Sequence, residues 1–117
     1  MPDTSQHRDQ SLRNKRVYRD RLDGPEAQYS EWAVTALFYT ALHDMDAYLY
    51  QLAGRVDPGN HRNRDSLVRT HCRRAWPTYK KLKDASEQGR YRCRRFTKAE
   101  IERYEEDALR KLPRLLR

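Results

Sequence analysis

Thirteen lysines and arginines against four acidic residues fill positions 54 to 96, whereas residues 25 to 53 hold four acidic residues and no basic one. A dense run of fixed cations is an electrostatic footprint for phosphate. The same run also suits a solvated helical face that pairs with the acidic segment before it. Within it, Trp76 and Tyr79 stand beside Arg73, Arg74, Lys80 and Lys81. That mixture could stack bases as single-strand binders do, or supply core and hinge aromatics. His61, Arg62 and Asn63 open a helix whose free N–H groups could take a phosphate, or form an ordinary solvated helix start. His43, set in an apolar run, reads as a hydrogen-bonded core histidine, or, if it faces a cleft, as a support for a catalytic side chain or a partner helix. His61, His71, Cys72 and Cys93 do not make a zinc pattern: there is no close cysteine pair, and adjacent His71 and Cys72 point about 100° apart on a helix. No glycine-rich phosphate loop, nucleophile elbow or carboxylate pair is visible, so no metal or cofactor is expected.

The elements that must carry these residues are few. The chain has 117 residues, a net charge of +8 and 36% charged residues, enough for one domain spanning 1–117 and a core of modest size. Mean hydropathy is -1.20, a value that would suit disorder. The 8 Tyr, 2 Trp and 2 Phe argue for a folded domain instead, since disordered segments are poor in aromatics. No run approaches the roughly 20 apolar residues of a membrane span, and the start is polar and charged, so a cytoplasmic protein without membrane contact is expected. The two cysteines, Cys72 and Cys93, read as reduced thiols.

Residues 1–24 form a polar segment, with a helix from Thr4 to Leu22 that packs weakly through Leu12, Val17, Tyr18 and Leu22 and frays at its start, until Asp23, Gly24 and Pro25 end it. From Tyr29 to Ala53, Trp32, Ala33, Ala36, Leu37, Tyr39, Leu42, Met45, Leu49 and Leu52 recur at steps of three and four, with Ser30 as N-cap and Gly54 as stop. That helix should be the spine. Asp57-Pro58-Gly59-Asn60 has turn chemistry. A helix capped by Asn60 follows from His61 to Ala75, carrying Leu67 and Val68 inward, and Pro77 interrupts it. The next runs from Pro77 to Gln88, with Tyr79, Leu82 and Ala85 on one face and Gly89 beyond its end. Thr97-Lys98-Ala99-Glu100 is a capping box that starts the last helix, in 97–117, along Ile101, Tyr104, Ala108, Leu109 and Leu112; Pro113 should stop or kink it. The fold class is all-α, an antiparallel bundle of four to five helices.

Three blocks carry a family likeness. Trp32-Ala33-Val34-Thr35-Ala36-Leu37-Phe38-Tyr39-Thr40-Ala41-Leu42-His43, closing in Ala47-Tyr48-Leu49, resembles the second-helix signature of the HEPN superfamily. His61-Arg62-Asn63-Arg64-Asp65-Ser66-Leu67-Val68 is similar to its histidine, two residues, then an arginine and a polar residue. Tyr79, Leu82, Ser86, Arg90 and Tyr91 follow its Y-x-x-L-x-x-x-S-x-x-x-R-Y stretch, with Gly89 where alanine is usual. The likeness spans residues 29–92. It implies a bundle that dimerises and, as in many members, a metal-independent endoribonuclease, a toxin or defence component whose two R-x(4 to 6)-H motifs meet in the dimer cleft. Arg64 to His71 has that form, with six residues between. Arg73 stands two after His71, where the toxin type modified by a nucleotidyltransferase antitoxin carries tyrosine.

On a helix, seven steps of about 100° fall about 20° short of two turns, so Arg64 and His71 share a face, about 10 Å apart along the axis. Histidine titrates where a base for a ribose 2′-OH must, and arginine is a planar, permanent cation for charge building on phosphorus. The resemblance therefore makes His71 the base or acid and Arg64 the oxyanion stabiliser. Asp65 could orient one of them or favour the helix start through the dipole. Arg62, Asn63, Arg69, Arg73 and Arg74 would guide RNA. The expected partners are RNA, a second copy of the chain and a nucleotidyltransferase-type antitoxin. The alternative is a non-catalytic helical module that binds RNA or a partner protein.

Overall fold

A computed structural model of the chain describes residues 3–19, 29–53 and 61–116. Leu22, Asp23-Gly24-Pro25, Gly54, Arg55 and Asp57-Pro58-Gly59-Asn60 lie outside the described residues, as does the side chain of His61. The elements are α1 (Thr4–Val17), α2 (Ser30–Ala53), α3 (His61–His71), α4 (Trp76–Tyr91), α5 (Lys98–Glu106), a π-helical turn (Asp107–Lys111) and α6 (Leu112–Leu115). The described residues contain no strand, and the fold is an all-α bundle.

The middle of α2 is apolar on nearly every side, which is the pattern of a helix enclosed by others. Val34, Leu37, Phe38, Ala41, Met45 and Leu49 are buried along it, and α1, α3, α4 and α5 all pack on it. Val68 of α3, Tyr79 and Leu82 of α4, and Ile101, Ala108 and Leu112 of the C-terminal helices complete the core. The ends of the α2 stripe fall off this core: Trp32 is 53% exposed and Leu52 52%. Both sit in step with the apolar repeat, but their side chains point away from the segments that meet α2 at Ser30, Glu31 and Gln51.

The first helix follows its expected seam only in part. Tyr18 is buried as expected, but Leu12 is 51% and Val17 50% exposed, and Ser11 is buried in their place. α1 is docked through polar groups: Ser11 Oγ donates to Asp44 Oδ1 at 2.6 Å, and Tyr18 donates to Glu105 at 2.9 Å. Nor is its start unprotected. Asp3 accepts from the backbone of Gln6, whose side chain accepts in return from Asp3 N–H, a capping box that satisfies the first turn.

Four further expectations are corrected by packing. Ser30 is inside α2 rather than its cap; buried, its Oγ accepts from Phe96 N–H at 2.9 Å and ties the start of α2 to the chain entering α5. α3 ends at His71 and not at Ala75. Pro77 has no N–H to offer a helix running through it, so the chain turns at 73–75 and begins α4 afresh with Pro77 in its first turn. Gly89 does not stop α4 but lies buried within it. A Cβ there would sit 3.1 Å from Glu31 Cβ and 3.2 Å from the Phe96 ring, so glycine serves the close approach of α4 to the start of α2. The left-handed residue after α4 is Cys93, with φ 57°. Pro113 does not stop the last helix either. The chain widens into the π turn at Asp107–Lys111 and continues helical through Leu115, which accommodates a ring that cannot donate to the preceding turn.

Candidate functional site

The expected catalytic and RNA-guiding residues all lie on α3 or in the turn behind it, but in contrasting surroundings. Arg64 faces α2. Its Nε donates to Asp46 Oδ1 at 2.7 Å and its Nη2 to Oδ2 at 3.0 Å, a fork on both carboxylate oxygens. Asp46 is buried in the second half of α2, a helix without a basic residue of its own. A buried carboxylate there needs a cation from another element, and α3 supplies it. Burial works against the Arg64 charge, but the Asp46 bonds and field outweigh it, and the guanidinium is held more firmly charged than in water.

Asp65, one residue on, points toward α4. Its Oδ2 accepts from Lys83 Nζ at 2.5 Å, and both side chains are shielded from solvent. The residue that orients Arg64 is thus Asp46, and Asp65 fastens α3 to α4. Tyr79 lies within the electrostatic reach of Arg64, Asp65 and Asp46; burial pushes its hydroxyl pKa well up, so it stays a neutral phenol. Neither the Tyr79 hydroxyl nor Asp65 Oδ1 has a hydrogen-bond partner among the described residues, and both are buried. An unmade bond of that kind costs about 1–3 kcal/mol.

His71 is the last residue of α3 and is exposed. The helix is unbroken from Arg64 to His71, so the two share one side of α3: the first is clasped from behind and the second opens to solvent. Arg62 and Asn63 are exposed in the first turn, Arg69 on the helix, and Arg73 and Arg74 in the following turn. Arg69 lies over Trp76, its guanidinium carbon 5.1 Å from the ring centre, and Trp76 also meets Tyr79, ring centres 6.2 Å apart. Trp76 is partly buried against the core, with Arg69 of α3 on its ring.

The rest of the basic run divides in two. Lys80, Lys81, Lys83 and Arg94 are engaged with Asp84, Asp107, Asp65 and Glu100, and Arg90 lies against Tyr39 and Tyr91. Arg62, Arg73, Arg74, Arg92 and Arg95 are exposed with no ion pair among the described residues. Among the described residues only Arg64 pairs with the acidic segment before the run, at Asp46; the other ion pairs of the run go to acids within it or after it. A groove lined by Lys80, Lys81, Asp84, Arg94 and Tyr104 involves neither Arg64 nor His71.

Sequence reasoning missed Asp46 and Lys83 as partners, and His7 altogether. His7 of α1 places Nδ1 3.0 Å from Nδ1 of His43 on α2. His43 is half-buried and hydrogen-bonded, in keeping with its sequence reading. Burial lowers its pKa, and His7 and Arg64 add to the shift while Asp46 opposes it. Asp46 carried one legible signal, an acid within an apolar helix without a local cation. His7 carried none, because its partner is 36 residues away.

The fold defines a small all-α bundle in which α2 and α3 share a buried Arg–Asp pair. No family model matches the chain, and no curated protein or solved structure is similar enough to match it.

Proposed function

We propose that the protein is a metal-independent endoribonuclease of the HEPN type, working as a homodimer in which Arg64 and His71 of two chains border one cleft. The observation that carries this reading is the arrangement on α3: a permanently charged guanidinium held in one orientation by Asp46, and an exposed imidazole two turns further along the same side. Exposed Arg62, Arg69, Arg73 and Arg74 flank both. In this reading His71 takes or returns a proton at the ribose 2′-OH or the leaving oxygen, and Arg64 opposes the charge growing on the phosphorus oxygens. The exposed arginines draw RNA toward the helix. A cytoplasmic toxin or defence role, with an antitoxin as partner, belongs to the same proposal.

The clasp on Arg64 also favours a second reading. A guanidinium that forks onto a buried carboxylate is well suited to locking α3 on α2, and a helical module that binds RNA without cutting it needs no more than the exposed arginines. Labelled single-stranded RNA incubated in chelator with wild type and His71→Ala separates the two. Products with 2′,3′-cyclic phosphate ends that vanish in the variant are expected for the ribonuclease. Intact RNA with both proteins, together with equal binding, transfers the assignment to the binding module.

A further inference from the structure

The pair His7 and His43 is unusual in that both rings turn the same nitrogen, Nδ1, into one gap 3.0 Å wide. Only one of the two can donate there, so the other must offer its lone pair. Asp46, one turn along α2 from His43, brings a carboxylate oxygen to the same place, and the three ligand atoms all lie within 4.8 Å of one another. Two imidazoles and a carboxylate make a standard protein donor set for a divalent transition ion. Metal–nitrogen bonds of about 2.0–2.1 Å at tetrahedral angles put ligand nitrogens roughly 3.3 Å apart, so the observed gap needs to open by only a few tenths of an ångström.

We propose that His7, His43 and Asp46 form a binding site for a divalent cation of the zinc class, which clamps α1 onto α2. The ion replaces the shared N–H hydrogen between the rings: the donating imidazole moves its proton to Nε2, and both Nδ1 lone pairs face the metal. Asp46 can serve Arg64 and the ion together, since an ionised carboxylate has about four lone-pair sites and Arg64 uses one on each oxygen. Arg64 then stands behind the ligand as its outer partner. Its positive charge offsets that of the aspartate, so the two imidazoles carry most of the affinity. This inference is independent of the ribonuclease reading: a site between α1 and α2 holds whether or not α3 cleaves RNA.

The test is calorimetric titration of the metal-free protein with Zn2+, and with Co2+ for its absorption spectrum, in wild type, His7→Ala and His43→Ala. Expected are one ion per chain, a cobalt spectrum of nitrogen and oxygen ligands without a thiolate band, and a zinc-dependent rise in Tm. All three should be lost in both variants. His7 lies on an outer helix, so His7→Ala keeps the test valid even where His43→Ala disturbs the core. Absence of stoichiometric binding in wild type overturns the proposal. So does binding that persists in His7→Ala, or a thiolate band that moves the ion to Cys72 or Cys93.

Discussion

At the scale of single residues, Asp46 and Arg64 are an ion pair largely removed from water and bonded at both carboxylate oxygens. Removing one partner of such a pair leaves the other charge buried and unpaired, at a cost of about 3–5 kcal/mol, whereas replacing both by apolar residues of like volume is close to neutral. Asp46→Ala should therefore lower stability by about that amount in urea melts, and Asp46→Leu combined with Arg64→Met should restore most of it. The double variant is also expected to lack RNA cleavage while remaining folded, which divides the structural from the chemical role of Arg64. Cys72 titrates in a different sense. Burial pushes its thiol from 9.0 up to about 11, so the folded protein holds the proton longer than the unfolded chain. The stabilisation is complete below pH 9.0 and is lost as pH rises toward 11. Cys72→Ala should flatten that alkaline limb of a Tm-against-pH curve, and at neutral pH alkylation should label exposed Cys93 much faster than Cys72.

Among the elements, the contact of α4 with the start of α2 depends on a missing side chain. Gly89 is placed where helix propensity disfavours it, and the space beside it is taken by Glu31 and Phe96. Gly89→Val should destabilise by about 1–3 kcal/mol, because a branched side chain must push α2 or the Phe96 ring away; denaturant midpoints of the variant and wild type check this. Sequence reading treated the same glycine as a helix stop, which is the commoner use of that residue. The difference arises because a stop is a local property, while a close approach belongs to two helices 58 positions apart along the chain. The capping box at Thr97 and Glu100, by contrast, was legible and is formed, with Glu100 N–H donating to Thr97 Oγ1 at 3.1 Å and Thr97 N–H to Glu100 at 3.0 Å. All its parts lie within four residues.

For the whole molecule, charge is what reaches beyond the surface. The exposed arginines of α3 and the turn after it, Arg62, Arg69, Arg73 and Arg74, stand within thirteen positions, while Lys80, Lys81, Lys83 and Arg94 pair with Asp84, Asp107, Asp65 and Glu100. Binding of single-stranded RNA should weaken with ionic strength, with a log–log slope of about -0.7 for each phosphate contact. Arg69→Gln with Arg73→Gln should make that slope shallower by roughly twice this amount. The corresponding change at Lys80 and Lys81 should alter it less, because those side chains already serve Asp84 and Asp107. Salt titrations monitored by fluorescence anisotropy would show the ordering, and an equal effect of both pairs would remove the distinction between bracing and available cations.

The helical class, the apolar spine of α2, the helix starting at Thr97 and the concentration of positive charge in residues 54–96 followed from sequence by itself, since each rests on spacing or composition within one stretch of chain. The arginine and histidine on one side of α3 were likewise a matter of helical pitch. Tertiary structure alone decided which charges are spent and which are open: Arg64 goes to Asp46, Lys83 to Asp65, and His7 meets His43 across 36 residues. Periodicity tells a helix which face to bury, but it cannot say which other helix will cover that face, and a side chain's partner depends on the second fact.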